Sequence, residues 1–364
     1  MDSYLEKLSS IIVNYSIAVK EKERVLITIQ NIECKPICKY LVKEIVKRKG
    51  IPFIKIDDYE ISSMLLENTD NERIKCIQKQ ENDIINNYDS FIQIRYNKND
   101  FEKKNIKNEI IKSISAATKE TDYIRINKRK WVLLNYPSVL DAYKAKMKTE
   151  DFNKFAFQVM TIDYQDMEER MKPLKALMEK TKMVHVVGPN TDLTFSIEGM
   201  NIIPCCGKQN LPDGEIFTAP VKTSVNGIIT YNVDSSYRGN VFHNVCLTFK
   251  DGKIIKATSD EDNIKLNEIF DTDEGARYIG EFSLGLNPQI KEAIGDILFD
   301  EKMIGSLHFT PGASYEQAFN GNKSSVHWDL VMDQKNGGEL YFDDVLIRKD
   351  GFFILPELEH LNYI

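Results

Sequence analysis

The run Arg24-Val25-Leu26-Ile27-Thr28-Ile29, continuing without a glycine through Gln30-Asn31-Ile32-Glu33-Cys34-Lys35-Pro36, decides how the first half of the chain is read. Its β-branched and leucine side chains suit a strand buried on both faces. Upstream, Leu5, Leu8, Ile11, Ile12 and Tyr15 recur at helical spacing. Downstream, Cys38, Leu41, Val42, Ile45 and Val46 mark one face of a helix, with Gly50 expected as its left-handed stop. Pro52 to Ile56, Ser90 to Ile94 and Tyr123 to Ile126 read as a second, third and fourth strand with helical segments between them. Strands alternating with helices predict a mostly parallel sheet. A phosphate cradle needs glycines after the first strand so that backbone N–H groups can approach the ligand, and none is present. The sheet is therefore read as structural or substrate-shaping.

From Trp131 to Thr181 the pattern turns helical, with Leu140, Tyr143 and Met147, then Met167, Met171, Leu174, Leu177 and Met178, at spacings of three and four. A methionine-rich stripe of this kind is core or inter-domain packing. The texture changes near residue 180. Beyond it come the short apolar runs Met183 to Gly188, Asp192 to Ile197, Gly227 to Tyr231 and Val245 to Phe249, separated by turn signals such as Asp251-Gly252 and Asp350-Gly351. The expected fold is α/β: an N-terminal domain (1–180, with a helical connection over about 130–180) built on a mostly parallel sheet, followed by a β-rich α+β domain (181–364) that is antiparallel.

The chain has 364 residues, enough for two cores, and 42% of them are hydrophobic. A formal net charge of -7, with acids interleaved among the lysines, disfavours nucleic acid as a partner. No apolar run approaches the roughly 18 residues of a membrane span, and the N-terminus shows no secretory signal pattern. Cys34, Cys38, Cys76, Cys205, Cys206 and Cys246 form no C-x-x-C pair, so reduced thiols in a cytoplasmic protein are expected.

Of five histidines, His185, His243 and His360 sit in settings that call for packing or edge roles. His308 is expected at a turn, after the strand-like Ile304 to Leu307. His327 lies in Val326-His327-Trp328-Asp329-Leu330, where strand alternation would project His327 and Asp329 together while their apolar neighbours cover the other side. An imidazole beside a carboxylate makes half of a divalent-cation site. Two acids strengthen it. Glu215 follows a Pro-Asp-Gly turn, and Glu281 lies among glycines and apolar residues, where an unpaired carboxylate would be costly. Glu215, Glu281, His308, His327 and Asp329 together supply three carboxylates and two imidazoles, about the inventory for two ions that share a carboxylate and leave positions for water.

Four segments carry a family resemblance in order: Asn210 to Pro220 (N-x-P-D-G-E-x-F-T-A-P), Gly280 to Asn287 (G-E-x-x-L-G-x-N), His308 to Tyr315 (H-x-x-x-G-x-S-Y) and His327 to Asp329 (H-x-D). With them the sequence resembles the aminopeptidase T and aminopeptidase S family of thermophilic-type metalloaminopeptidases, more loosely over nearly the whole chain. The resemblance implies that Glu215, Glu281, His308, His327 and Asp329 fall on metal ligands. It places Tyr315 on an active-site tyrosine that, with Glu281, serves catalysis. It implies two divalent ions, with zinc or cobalt ahead of manganese or magnesium, peptide substrates with a free N-terminus, and a homodimer. Hydrolysis of N-terminal residues by an activated bridging water follows as the expected reaction. A two-metal amidase or phosphoesterase, and a non-catalytic metal-binding protein of the same fold, are the alternatives. No P-loop or arginine cluster beside the motifs favours phosphate chemistry.

Overall fold

The computed structural model describes residues 2–102, 104–237 and 239–362. The chain divides into two compact units, Met1–Ile162 with Gly207–Pro212, and Asp163–Cys206 with Asp213–Ile364.

The first unit is built on a five-stranded parallel sheet, ordered Ile51–Ile56, Arg24–Ile29, Ser90–Tyr96, Lys130–Tyr136 and Asn210–Leu211. Val25, Ile27, Ile92, Ile94, Val132 and Leu134 are fully buried in it, as a strand run covered on both faces requires. Helix Lys35–Lys47 buries Ile37, Cys38, Leu41 and Ile45. Two local expectations fail here. Tyr123 to Ile126 is no strand but the last part of helix Asn108–Lys128, with Tyr123 and Ile126 exposed. Four strand-forming residues continuing a helix of 21 residues follow the helix, and the fourth strand is Lys130–Tyr136. The left-handed residue after Lys35–Lys47 is Lys49 (φ 59°) and not Gly50. Gly50 answers a close approach instead, since a Cβ there would meet Val19 Cγ1 at 2.7 Å and Ile45 Cγ2 at 2.9 Å.

Helix Tyr164–Met178 belongs to the second unit, where it contacts strand Ile203–Cys205 and the turn Glu359–Leu361. The division thus falls at residue 162 and not near 180, because helical texture runs unbroken across the point where packing changes partners. The second unit holds an eight-stranded sheet and a five-stranded one. The latter is antiparallel throughout, in the order Val331–Asp333, Ser306–Pro311, Ile279–Gly285, Glu215–Thr218 and Ile203–Cys205. Phe195, from strand Thr191–Ser196 of the larger sheet, meets Phe282 and Phe309 of the smaller at ring separations of 4.9 and 4.8 Å. Phe249 of the larger sheet reaches Phe309 at 6.1 Å. These aromatic contacts seal one face of the five-stranded sheet against its neighbour. Alternation then fixes the opposite face: residues 281, 283, 308 and 310 point away from the aromatic layer.

Phe309→Ala is expected to destabilise the second unit by about 3–5 kcal/mol, the usual cost of emptying a buried aromatic site. In a Trp131→Phe background, Trp328 is the sole tryptophan, and its fluorescence during urea unfolding checks this. A shift under about 1 kcal/mol would mean that the aromatic layer does not hold the two sheets together.

Candidate metal centre

Three of the five expected ligands, Glu215, Glu281 and His308, start from that outward face or its edge. Glu215 is the first residue of strand Glu215–Thr218, reached through a turn in which Gly214 takes φ +128°. In register, Gly285 lies opposite Glu215, Ser283 opposite His308, and Glu281 opposite Thr310. His308 is inside strand Ser306–Pro311 and not at a turn beyond it, because Phe309 and Leu307 continue the alternation into the core. A register shift between Ile279 and Glu281 marks a bulge at Gly280. No Cβ fits there, since it would lie 2.1 Å from the Ala313 carbonyl oxygen. His327 and Asp329 lie outside any regular strand, in a segment tied to the sheet by an isolated bridge from His327 to Gly312 and by backbone bonds from Trp328 to Pro311 and from Ala313 to Val326. Their alternation nevertheless holds: Val326, Trp328 and Leu330 are buried on the far side.

The five side chains converge. Glu281 is buried and turns a different oxygen to each histidine: Oε1 is 3.4 Å from His308 Nε2, and Oε2 is 3.3 Å from His327 Nε2. Glu215 Oε2 is also 3.4 Å from His308 Nε2, and Asp329 Oδ1 is 3.3 Å from His327 Nε2. Two donor triads result, Glu215–Glu281–His308 and Glu281–His327–Asp329, each with ligand atoms within 4.8 Å of one another and with Glu281 in common.

Supporting bonds orient the donors. His327 Nδ1 donates to the Ala313 carbonyl at 2.8 Å, and His308 Nδ1 donates to the Glu301 carbonyl at 3.3 Å. A carbonyl can only accept, so Nδ1 carries the hydrogen and each Nε2 presents its lone pair inward when the ring is neutral. His327 Nε2 is buried with no hydrogen-bond partner, a costly state that a cation would relieve. Thr310 Oγ1 donates to Asp329 Oδ1 at 2.7 Å, and Ser283 Oγ lies 2.9 Å from Glu215 Oε2. Tyr315 stands at the rim, 49% exposed, with its ring centroid 4.7 Å from that of His327 and 5.7 Å from that of Phe217.

Charge shapes the titration of the metal-free cluster. Burial pushes Glu281 up, but the His308 hydrogen bond and the positive charge of both imidazoles outweigh it and leave the carboxyl below its usual range. Burial pulls His308 down, yet Glu281 and Glu215 raise it to about 9. Burial likewise opposes ionisation of Asp329, which His327 nonetheless holds low.

Three buried charges here carry no sequence signal. Asp300-Glu301-Lys302 reads as a solvated charge run, but all three side chains are buried. Glu301 joins His308 and Asp329 in a further donor grouping, and Asp213 joins Cys205 and Glu215 in another. Burial, with Asp329 and Glu215 nearby, pushes Glu301 up to about 8 against the pull of Lys302. The remaining histidines are engaged in other contacts: His185 with Asp192 at 2.8 Å, His243 with Asp234 at 2.5 Å, and His360 with the Arg170 carbonyl at 2.8 Å.

Carboxylate and imidazole donors converging on a buried sheet face are the donor set of a candidate divalent-metal centre. Comparison with known proteins agrees. The solved structure of wild-type AmpT from Thermus thermophilus superposes with a TM-score of 0.78, covering 97% of this chain and 99% of that one at 19% identity, and so shares the fold. The sequence model of the thermophilic metalloprotease (M29) family matches residues 1–351. The chain belongs to the thermophilic metalloprotease family M29, whose chemistry requires a divalent metal. Curated relatives include aminopeptidase AmpS of Bacillus subtilis (strain 168), 29% identical over 180 residues that span 46% of this chain and 43% of that protein. Aminopeptidase 2 of Geobacillus stearothermophilus is 34% identical over 161 residues, spanning 39% and 37% respectively. The matched stretches thus cover less than half the length of these relatives.

Two outcomes are expected. Glu281→Gln should lower metal occupancy sharply by dialysis and elemental analysis while circular dichroism stays unchanged, whereas His185→Asn and His243→Gln keep wild-type stoichiometry. Full occupancy in Glu281→Gln would remove Glu281 from the centre. The second concerns protons. With His308 raised from 6.5 to about 9, its share of metal-free stability is complete below about pH 6.5 and is lost as pH rises through 9. At pH 7 it is protonated in the metal-free chain, so metal uptake must displace that proton. Zinc added to metal-free protein in weak buffer should acidify the solution, and affinity should fall as pH is lowered from 9 to 6. Uptake without proton release would show that His308 is not a ligand.

Proposed function

We propose that this chain is a metal-dependent aminopeptidase holding two divalent ions, one on Glu215, Glu281 and His308 and the other on Glu281, His327 and Asp329. The observation that carries the reading is the Glu281 carboxylate, whose two oxygens face two separate donor sets. Two ions bound there would polarise the scissile carbonyl and acidify a bridging water. The chain's own residues supply the rest. Glu281 holds the centre together as the shared ligand. Ala313 and Glu301, through their carbonyls, keep both imidazoles turned inward. Tyr315 sets a phenol at the rim beside His327, within reach of a carbonyl oxygen that gains charge as the peptide is attacked. An uncharged α-amine of the substrate could fill an open position on one ion, which suits a substrate with a free N-terminus.

Zinc or cobalt heads the choice of metal on the family resemblance, with manganese and magnesium behind. The six cysteines, none in a disulfide, suit the reducing cytoplasm. Among the described residues no helix is long and apolar enough to cross a membrane. The homodimer is carried by the resemblance and is checked by light scattering, where a monomer mass would remove it.

The test of function compares leucyl-p-nitroanilide with its N-acetyl form over pH 6 to 10 in metal-replete buffer. Acetylation withdraws the amine's lone pair and adds bulk at that point, so kcat/KM should fall by orders of magnitude. Equal cleavage of both would exclude an aminopeptidase. Two bound metals with no cleavage of either would favour an amidase or phosphoesterase, and no bound metal a non-catalytic protein.

A further inference from the structure

Lys302 brings an ammonium group into this cluster with none of its surface exposed. Its Nζ donates to Glu215 Oε1 at 2.9 Å and pairs with Glu301, while Asp213 adds to the negative field around it. The other oxygen of Glu215 faces Ser283 Oγ and His308 Nε2. Glu215 is therefore divided: one oxygen serves the lysine and one serves the donor triad.

A lysine in this position has two opposed effects. Its hydrogen bond orients Glu215, which should favour metal binding. Its fixed charge lies one carboxylate away from the proposed dication, which should oppose it. Ser283 already steers Glu215, so the orienting effect is partly redundant. Repulsion between a single and a double charge across one carboxylate, in a site of effective dielectric near ~20, far exceeds thermal energy. Charge wins.

We propose that Lys302 is a positioning residue that stands in for a cation. It keeps Glu215 and Glu301 ordered and paired when the metal is absent, and it weakens the ion on Glu215, Glu281 and His308 enough to keep that ion exchangeable. Desolvating an ammonium between two carboxylates is costly even when paired, but removing it alone is costlier still, because it leaves two buried acids uncompensated. This inference rests on the two-metal reading above.

The test uses full-length wild type, Lys302→Gln, which keeps an amide donor without charge, and Lys302→Met, which removes both. Each is loaded with zinc and then challenged with a graded chelator series, with zinc equivalents counted by elemental analysis. The ion in question is the one that Glu215→Gln also loses. Stripping it should need about tenfold more chelator, or beyond, in both Lys302 variants. The metal-free variants should unfold at lower temperature than metal-free wild type. Damage to packing alone would weaken metal retention, the opposite sign. Unchanged or weaker retention in Lys302→Gln overturns the inference, and that variant decides if Lys302→Met does not fold. Wild type that takes up no zinc overturns the two-metal reading instead.

Discussion

The alternation along two neighbouring strands, Ile279–Gly285 and Ser306–Pro311, is the constraint on which the rest of the second unit depends. Phe282 and Phe309 must face the larger sheet, because their rings pack against Phe195 and Phe249 there. A side-chain period of two then leaves Glu281, Ser283, His308 and Thr310 no choice but the other face. One slipped residue would bury the donors in an aromatic core and expose the aromatics. The hydrophobic packing that stabilises the unit is therefore the same feature that aims its polar chemistry.

An outward face alone would leave these groups in water. They are buried instead, because the segment around Glu301 and Lys302 and the stretch from Ala313 to Asp329 close over the sheet and contribute groups of their own. Burial raises the stakes of every unpaired polar atom. Glu281 answers by touching two histidines, Asp329 by accepting from Thr310, and Glu215 by pairing with Lys302. His327 Nε2 is the atom left over, and it points between Glu281 and Asp329. A cluster this acidic, with one lysine and two imidazoles, is organised around positive charge.

How much of this was legible in the sequence follows from the kind of signal involved. The parallel sheet could be read because Arg24–Ile29 and Ser90–Ile94 are short apolar runs, buried as central strands, that alternate with helical patterns. Tyr123 to Ile126 misled because four residues cannot outvote the helix they end. Glu281 and His327 stood out since each is a charged or polar residue in apolar company, which needs a physical reason. Glu301 and Lys302 did not, because three consecutive charges look solvated unless the fold that covers them is known. The unit boundary was misjudged for a related reason: helix Tyr164–Met178 looks like its helical neighbours, and only packing assigns it to the second unit.

The central claim is that Glu281 is shared by two cations, and anomalous diffraction from a zinc-loaded crystal at the zinc edge tests it most directly. The account predicts two peaks roughly 3.5–4 Å apart, one beside Glu215 and His308 and one beside His327 and Asp329, with an oxygen of Glu281 on each. A single peak, or peaks that leave Glu281 unbound, would contradict it.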